Sequence, residues 1–488
     1  MPVTEAPIEV IPQPALLIGD QRVTDASGGT FEHVYPATGK PTRAIPLAGR
    51  EEIDRAVSAA RAALPAWRGT PADARRDCML RLAGLITQHA QELTQLNIVD
   101  NGTPTAIAGF APAAAADLFT YNAGWMDKIG GDVVTTWPIP AFDYAVEEPY
   151  GVVGVIIPWN GPVHAIGMTL GPVLAAGNCT ILKPPELAPF AALRMGELFL
   201  EAGFPPGVVN IVPGGPDAGE ALIRHPGVDK VHFTGSGATA KKILAGALET
   251  LKPVGLELGG KSARLIFADA DLDAVTPEAL SGIINLAGQG CINGTRILVQ
   301  RPIYAELVER VAAMAGQIPV GDPIAPDTVV GPVVNDTACQ RILGVIQKAV
   351  DNHEGRLVAG GQRLGGDLAD GYFLPLTVFA DVDNATSLAQ NEVFGPVLAM
   401  IPFDTEEEAI GIANDTTYGL AAYVHTEDLR RAHRVSASLE AGNVWVNSFL
   451  GIPAAAPFGG TKQSGYGRLG GLAGIKEFLR PKNVWMPL

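Results

Sequence analysis

The sequence predicts an α/β protein, because helical and strand periods alternate along it and its strand runs are apolar on both faces. The runs "GVVGVIIPW", "NCTILKP", "GVVNIV", "KVHFTG" and "PVGLELGG" are short, rich in Val, Ile and Leu, and bounded by Gly or Pro. Strands with no polar face belong in a parallel sheet covered by helices. At 488 residues the chain is too long for one core, so two or three domains are expected.

In chain order, Glu51 to Trp67 carries apolar residues at helical spacing, and a second amphipathic helix is expected from Ala72 to about Val99. The segment Gly130 to Tyr150, "GGDVVTTWPIPAFDYAVEEPY", breaks this rhythm with Pro, aromatic and β-branched residues and reads as a projecting hairpin or arm. Ile166 to Leu182 is the longest near-apolar stretch; Gly171, Pro172, Gly177 and Asn178 interrupt it, so it reads as a buried helix turning into a strand, not a membrane span. After Gly260 a second alternating series opens with "SARLIFADAD". The C-terminal "NVWMPL" is strand-like, and its Trp485 and Met486 require a covering surface, which points to oligomerisation.

Composition narrows the function classes. With 47% hydrophobic and 18% charged residues the chain reads as a soluble globular protein. A net charge of -16 repels phosphate backbones and anionic lipid, so neither nucleic acid nor a membrane is expected as a partner. Cys78, Cys179, Cys291 and Cys339 form no CxxC, which fits free thiols in a reducing compartment and a cytoplasmic location. The eight histidines form no ligand cluster, so no metal is expected. The N-terminus lacks a basic segment followed by an apolar one, and no signal peptide is expected.

Two stretches carry chemistry. "VHFTGSGATAKKI" holds Gly235-x-Gly237-x-x-Ala240 between a strand-like run and a helix, the pattern that seats a pyrophosphate on a helix N-terminus. By that pattern an acid about 20 residues on holds a ribose, and Glu257 stands there. "GQGCINGTR" flanks Cys291 with Gly288, Gly290 and Gly294, so the backbone bends sharply and a substrate can reach the thiol. A small core hydrophobe is the competing reading of such a cysteine; for Cys78, Cys179 and Cys339 it prevails.

Seven motifs together resemble the NAD(P)-dependent aldehyde dehydrogenase superfamily: Pro158 to Asn160 ("PWN"), Lys183 to Glu186 ("KPPE"), Phe233 to Ser236 ("FTGS"), Glu257 to Lys261 ("ELGGK"), Gly288 to Cys291 ("GQGC"), Glu392 to Val397 ("EVFGPV") and Pro457 to Arg468 ("PFGGTKQSGYGR"). They follow the family's order over nearly the whole chain. The resemblance implies a Rossmann-like cofactor domain of residues 1–129 and 150–259, a second α/β catalytic domain of residues 260–463, and a small β oligomerisation arm with the C-terminal segment, residues 130–149 and 464–488. It also implies that Tyr144 to Glu148 and Val484 to Met486, expected to lack partners in their own domain, extend a neighbour's sheet in a homodimer or homotetramer.

The same resemblance assigns roles. Cys291 is the nucleophile, the Asn160 amide and the Cys291 backbone N–H are oxyanion donors, and Glu257 is the base that activates water. Lys183 and Glu186 take the adenosine ribose, a carboxylate that favours NAD over NADP. Gly235 and Ser236 meet the pyrophosphate, although the family usually has Gly where this chain has Ala240. Glu392 and Phe394 hold the nicotinamide ribose and ring. Ile156, Trp159, Gly215, Gly219, Phe233 and Leu258 complete the cofactor contacts, with core packing the competing reading of Trp159.

For the substrate, a small-molecule aldehyde, Gly161 stands where the family commonly has an aromatic residue. His164, Ala165, Met168 and Gly290 are neighbours of the passage, and Phe449, Leu450, Ile452 and Phe458 offer an apolar wall, although Phe458 also reads as core. These positions hold no Arg or Lys, so a bulky apolar or aromatic aldehyde is expected in preference to a carboxylated or phosphorylated one. The presence of Glu257 favours a free acid as product over transfer of the acyl group to coenzyme A. A silent homologue that kept only the fold is the remaining alternative.

Overall fold

The computed structural model describes residues 3–449 and 451–488. Two sheets dominate. The first has eight strands in the order Gly465–Tyr466, Val254–Leu258, Lys230–Gly235, Val152–Ile156, Cys179–Lys183, Val209–Ile211, Leu16–Ile18 and Gln21–Val23. Its five central strands are the five apolar runs of the sequence, and neighbours among them are parallel. Every residue of Val152–Ile156, Cys179–Lys183 and Val254–Leu258 is buried. Burying each Val, Leu or Ile contributes roughly 1.5–3 kcal/mol, which explains the absence of a polar face in these runs.

The chain builds this sheet in one direction from Val152–Ile156 through Cys179–Lys183 to Val209–Ile211, then returns to place Lys230–Gly235 on the other side of the first strand. Such a reversal opens a crevice at the carboxyl ends of the two strands that diverge, where ligands of open α/β sheets bind. Gly235 ends one of those two strands, and Trp159, Asn160 and Ser236 follow the strand ends.

The second sheet has seven strands in the order Arg356–Ala359, Thr377–Ala380, Val397–Phe403, Arg296–Gln300, Ala263–Ile266, Ala421–His425 and Asn443–Val446. It is parallel except for the antiparallel first pair. Ala263–Ile266 is the strand expected from "SARLIFADAD". Each sheet has its own large hydrophobic cluster.

The helix Arg50–Gly69 contains the expected Glu51 to Trp67. The expected single helix from Ala72 is instead two, Ala72–Gln88 and Ala90–Asn101. His89 leaves helical geometry between them (φ -97°, ψ 17°), and its ring bonds Glu92 at 2.8 Å. Gly102 ends the second helix at φ 75°, a left-handed conformation that glycine adopts without strain. Ile166 to Leu182 contains the end of the helix Pro162–Ala175 and the start of the strand Cys179–Lys183, with Gly177 at φ 87° between them.

The arm corrects a second expectation. Tyr144 to Glu148 and Val484 to Met486 do not lack partners within the chain: Ala141–Pro149 pairs antiparallel with Leu479–Pro487, Val484 opposite Tyr144. Asp132–Val134 completes a three-stranded sheet in which Leu479–Pro487 forms one edge. Nothing local to either segment announces a pairing between strands so far apart in sequence. Val133, Trp137, Ile139, Phe142, Trp485 and Met486 remain exposed on this arm. Among the described residues no helix is long and apolar enough to cross a membrane, and no group of His, Cys, Asp and Glu is arranged to hold a metal.

Candidate active site

The loop that carries Cys291 lies between the helix Leu272–Ile284 and the strand Arg296–Gln300. Leu286, Ala287 and Gly288 take φ of 53°, 51° and 75° in succession. Left-handed backbone at two side-chain-bearing residues costs of order 1–3 kcal/mol each and persists only where surrounding contacts impose it. Those contacts are visible. A Cβ on Gly288 would meet the Gly395 carbonyl at 2.0 Å, so only glycine lets this loop lie on the Glu392 segment. Buried Gln289 accepts a hydrogen bond from Val334 N at 3.0 Å and donates to Leu286 O at 2.9 Å.

Asn160 reaches this loop from the end of Val152–Ile156, its Nδ2 donating to Gln289 O at 2.7 Å. A side-chain amide has two N–H donors, so one is left for a ligand. Gly260 presses on the loop from the third side; its Cβ would sit 2.9 Å from the Cys291 carbonyl oxygen. Burial, reinforced by the negative charges of Glu392 and Glu257, pushes the Cys291 thiol up to about 12.

Glu257, the penultimate residue of the strand Val254–Leu258, is 4% exposed and has no hydrogen-bond partner among the described residues at either carboxylate oxygen. Burial raises it well above the usual carboxylate range, opposed by the charge of Arg468 and reinforced by that of Glu477. Two close approaches make room for it. A Cβ on Gly459 would lie 2.8 Å from Glu257 Oε1, and Gly465 pairs with Glu257 across the sheet edge. The C-terminal motif is tied here by Ser464 Oγ, which donates to Gly259 O at 2.7 Å and accepts from Gly419 N at 2.9 Å.

Glu392 lies across the glycine turn after Glu257. Its Oε1 accepts from Gly260 N at 3.1 Å, and a Cβ on Gly259 would overlap its carboxylate. Burial pushes Glu392 up to about 7 against the pull of that N–H and of Lys261 and Arg341. Phe394, at φ 49°, meets Trp159 edge-on at 5.5 Å between ring centroids.

The remaining cofactor candidates gather at strand ends of the first sheet. Lys183 is buried, its Nζ donates to the carbonyls of Gly214 and Pro184, and burial lowers it to about 8 while Glu186 acts to raise it. Gly215 is the N-cap of the helix Pro216–Arg224, and a Cβ there would meet nothing within 4 Å. Gly219, one turn on, lies near the Lys183 chain, 3.8 Å from a virtual Cβ to Cε. Ser236 caps the helix Gly237–Ala247, its side chain accepting from Thr239 N. Phe233 pairs with Ile156 and Gly235 with Leu258 across the same sheet.

Of the wall candidates, a Cβ at Gly161 would meet none of the described residues within 4 Å, so the space beside it is open among them. Ala165, Phe449 and Ile452 pack, like Cys291, as partly buried neighbours of the first core, and Phe458 and Met168 belong to that core. Phe458 is 6% exposed and its backbone exchanges hydrogen bonds with Leu469. A Cβ on Gly290 would meet the Asn293 side chain at 2.7 Å. His164 is half-buried and burial lowers its imidazole. Leu450 lies outside the described residues.

A model of the aldehyde dehydrogenase family matches residues 23–484. The chain belongs to the aldehyde dehydrogenase family. It is similar to an aldehyde dehydrogenase of Aspergillus niger, 42% identical over 473 residues that cover 96% of this chain and 94% of the relative. Among solved structures it is similar to the NAD+ complex of the aldehyde dehydrogenase from Bacillus cereus, 39% identical with a TM-score of 0.96 over 100% of both chains. It is also similar to PnpE in complex with nicotinamide adenine dinucleotide, 38% identical with a TM-score of 0.95 over 98% of both chains.

In this aldehyde dehydrogenase three residues outside the sequence expectations shape the site. Arg341 donates to the carbonyls of Val393 at 2.6 Å and Phe394 at 3.2 Å and so holds the Glu392 segment. Arg468 donates to the carbonyls of Gly460 and Gly467 and places its charge near Glu257. Gln289 receives Asn160 through its backbone and fixes the Cys291 loop through its side chain. Arg468 and Gln289 sit inside motifs; Arg341 follows from no motif.

Proposed function

We propose that the enzyme oxidises a bulky apolar or aromatic aldehyde to the free carboxylic acid, with NAD as hydride acceptor, through a thioester on Cys291 hydrolysed by water that Glu257 activates. One observation carries this reading: a buried carboxyl with both oxygens unpaired, electrostatically coupled to the only half-buried cysteine among the described residues. Without a function such a group would cost several kcal/mol and be replaced by an apolar side chain.

The fit to NAD is supported by open space at the Gly215 helix start, the capped helix start at Ser236, and the Lys183 ammonium held only by backbone carbonyls. Two helix N-termini at the crevice favour an anionic pyrophosphate. Lys183 and Glu186 would take the adenosine ribose, and Glu392 with Phe394 and Trp159 would hold the nicotinamide end. When bound, the cofactor supplies the hydride acceptor.

The protein's own groups do the rest. Cys291 Sγ gives its proton to solvent water and bonds the aldehyde carbon, while the free N–H of Asn160 and the Cys291 backbone N–H stabilise the oxyanion, each such donor worth about 3–4 kcal/mol. Loss of hydride from that carbon leaves the thioester. Glu257, ionised, takes a proton from water as its oxygen attacks the acyl carbon, the C–S bond breaks, and the acid departs. The open side of Gly161 supports a bulky substrate. We further read residues 1–129 with 150–259 as the cofactor domain and 260–463 as the catalytic domain, and the edge strand Leu479–Pro487 as the contact that builds a homodimer or homotetramer.

The test is NADH absorbance with a panel of aldehydes, NAD against NADP, with and without coenzyme A. Fastest turnover with NAD and a large apolar aldehyde, unchanged by coenzyme A, is expected. Dependence on coenzyme A would assign an acyl-transferring enzyme, and equal use of NADP would overturn the role given to Glu186.

A further inference from the structure

Behind the Cys291 loop, outside every residue used above except Phe449, lies a buried aromatic and cationic cluster. Tyr423, fully buried on the strand Ala421–His425, donates its hydroxyl to the Ile292 carbonyl at 2.9 Å. Among the described residues it is the one side chain other than the Cys291 thiol itself that hydrogen-bonds the backbone of Gly290, Cys291 or Ile292. Burial raises the phenol above its ordinary range, so it stays a donor throughout the working pH range.

The ring is held from several sides. The Trp445 indole stacks on it with centroids 5.2 Å apart and planes within 17°. The Arg264 guanidinium lies 4.5 Å from its centroid. Arg264 is itself fully buried on the neighbouring strand, opposite Tyr423 in register. It is oriented by Glu278 at 3.2 Å, His425 Nε2 at 2.7 Å and Ser281 Oγ at 3.0 Å. His425 is lowered to about 3 by burial and by Arg264, so it is neutral and accepts. Gly294 clears the way: a Cβ there would sit 3.0 Å from the tyrosine ring.

The cluster also reaches the loop of the apolar wall. Phe449 lies 5.8 Å from Tyr423 and 5.5 Å from Arg264, and Trp445 Nε1 donates to Gly451 O at 2.8 Å. A single ring system therefore touches both the backbone beside the thiol and the segment that carries Phe449 and Ile452.

We infer that Tyr423 is a positioning residue: its hydroxyl holds the Ile292 carbonyl, one residue past Cys291, and so fixes the loop in the attacking geometry, and its ring, clamped by Arg264 and Trp445, registers that loop against the substrate wall. The inference rests on Cys291 being the nucleophile. A loop bent through three left-handed residues needs such an anchor, because side-chain placement to within about 1 Å decides reaction rates by 10²-fold.

The test uses the full-length enzyme at saturating NAD and reads the pre-steady-state NADH burst. Tyr423→Phe keeps the ring and removes only the donor; the burst rate constant should fall roughly 10-fold with its amplitude retained and the aldehyde KM within about twofold. Trp445→Phe keeps a stacked ring but frees Gly451, and should shift the preference between long and short aldehydes while slowing the burst less. A burst at the wild-type rate in Tyr423→Phe, with only its melting temperature lowered, would reduce the tyrosine to a structural role and overturn the proposal. If Tyr423→Phe does not fold, an unchanged burst and unchanged preference in Trp445→Phe overturns it. Cys291→Ser separates the two readings: an inert Cys291→Ser beside an unaffected Tyr423→Phe rejects the positioning role alone, whereas an active Cys291→Ser rejects the nucleophile.

Discussion

Replacing Glu257 with Gln isolates one step of the reaction. The amide nearly preserves the volume of the carboxyl in a site where neither oxygen has a partner among the described residues, so the change breaks no hydrogen bond to them. Attack by Cys291 and departure of hydride do not use Glu257 in the proposed mechanism, whereas hydrolysis of the thioester does. Loss of a general base costs typically 10²–10⁴ in rate, which at 1.36 kcal/mol per decade is about 2.7–5.4 kcal/mol. Stopped-flow mixing should therefore show one NADH per active site at nearly the wild-type rate, followed by turnover reduced by roughly that factor. The pH dependence follows from the raised carboxyl. Activation of water needs the ionised form, so wild-type turnover rises as pH climbs through the elevated value, and Glu257→Gln lacks this limb. Stability runs the opposite way. A carboxyl that binds its proton more tightly folded than unfolded stabilises the fold at low pH, and that contribution is lost as pH rises through the folded value. The variant should accordingly melt at or above the wild type at alkaline pH. Steady-state turnover within threefold of wild type would refute the assignment, and a lost burst would show that Glu257 serves the first step instead.

Two further expectations concern Cys291 and Gly161. Because burial and two acidic neighbours push the ligand-free thiol up to about 12, its iodoacetamide alkylation, followed by mass spectrometry, should rise about tenfold per pH unit from pH 7 to 9; a plateau below pH 8 would contradict that environment. Gly161→Phe fills the open side of the helix start and should lower kcat/KM for a large aldehyde by roughly 10- to 100-fold while sparing a short one; equal effects on both would remove Gly161 from specificity.

The parallel strands were legible because burial on both faces leaves runs with no exposed polar face, as in "GVVGVI" and "NCTIL". The break at His89 was not, because it depends on where Glu92 and Arg194 place their side chains around that ring. The pairing of the arm with the C-terminal strand was equally hidden, since period and propensity report strands but not distant partners. At the site, motifs mark Cys291, Glu257 and Asn160 as single residues. Their surroundings come from long-range contacts: Arg341 lies in no motif, yet it holds two carbonyls of the Glu392 segment. Arg264 and Tyr423 read as ordinary strand residues, and only the register of their strands brings them together.

The arm has a consequence for the newborn chain. Lys482 and Glu148, which bond across its central pair of strands, are 334 residues apart. At a translation rate of roughly 5–20 residues per second, Ala141–Pro149 waits about 15 to 70 s for its partner to be made. Throughout that interval a β-edge bearing Phe142 and Tyr144 stands uncovered beside whatever the ribosome has already released. Crowded polysomes, where identical edges lie close together, are thus where this enzyme is most vulnerable to mispairing, and holdase capacity during expression, more than the stability of the finished fold, should set the yield of active protein.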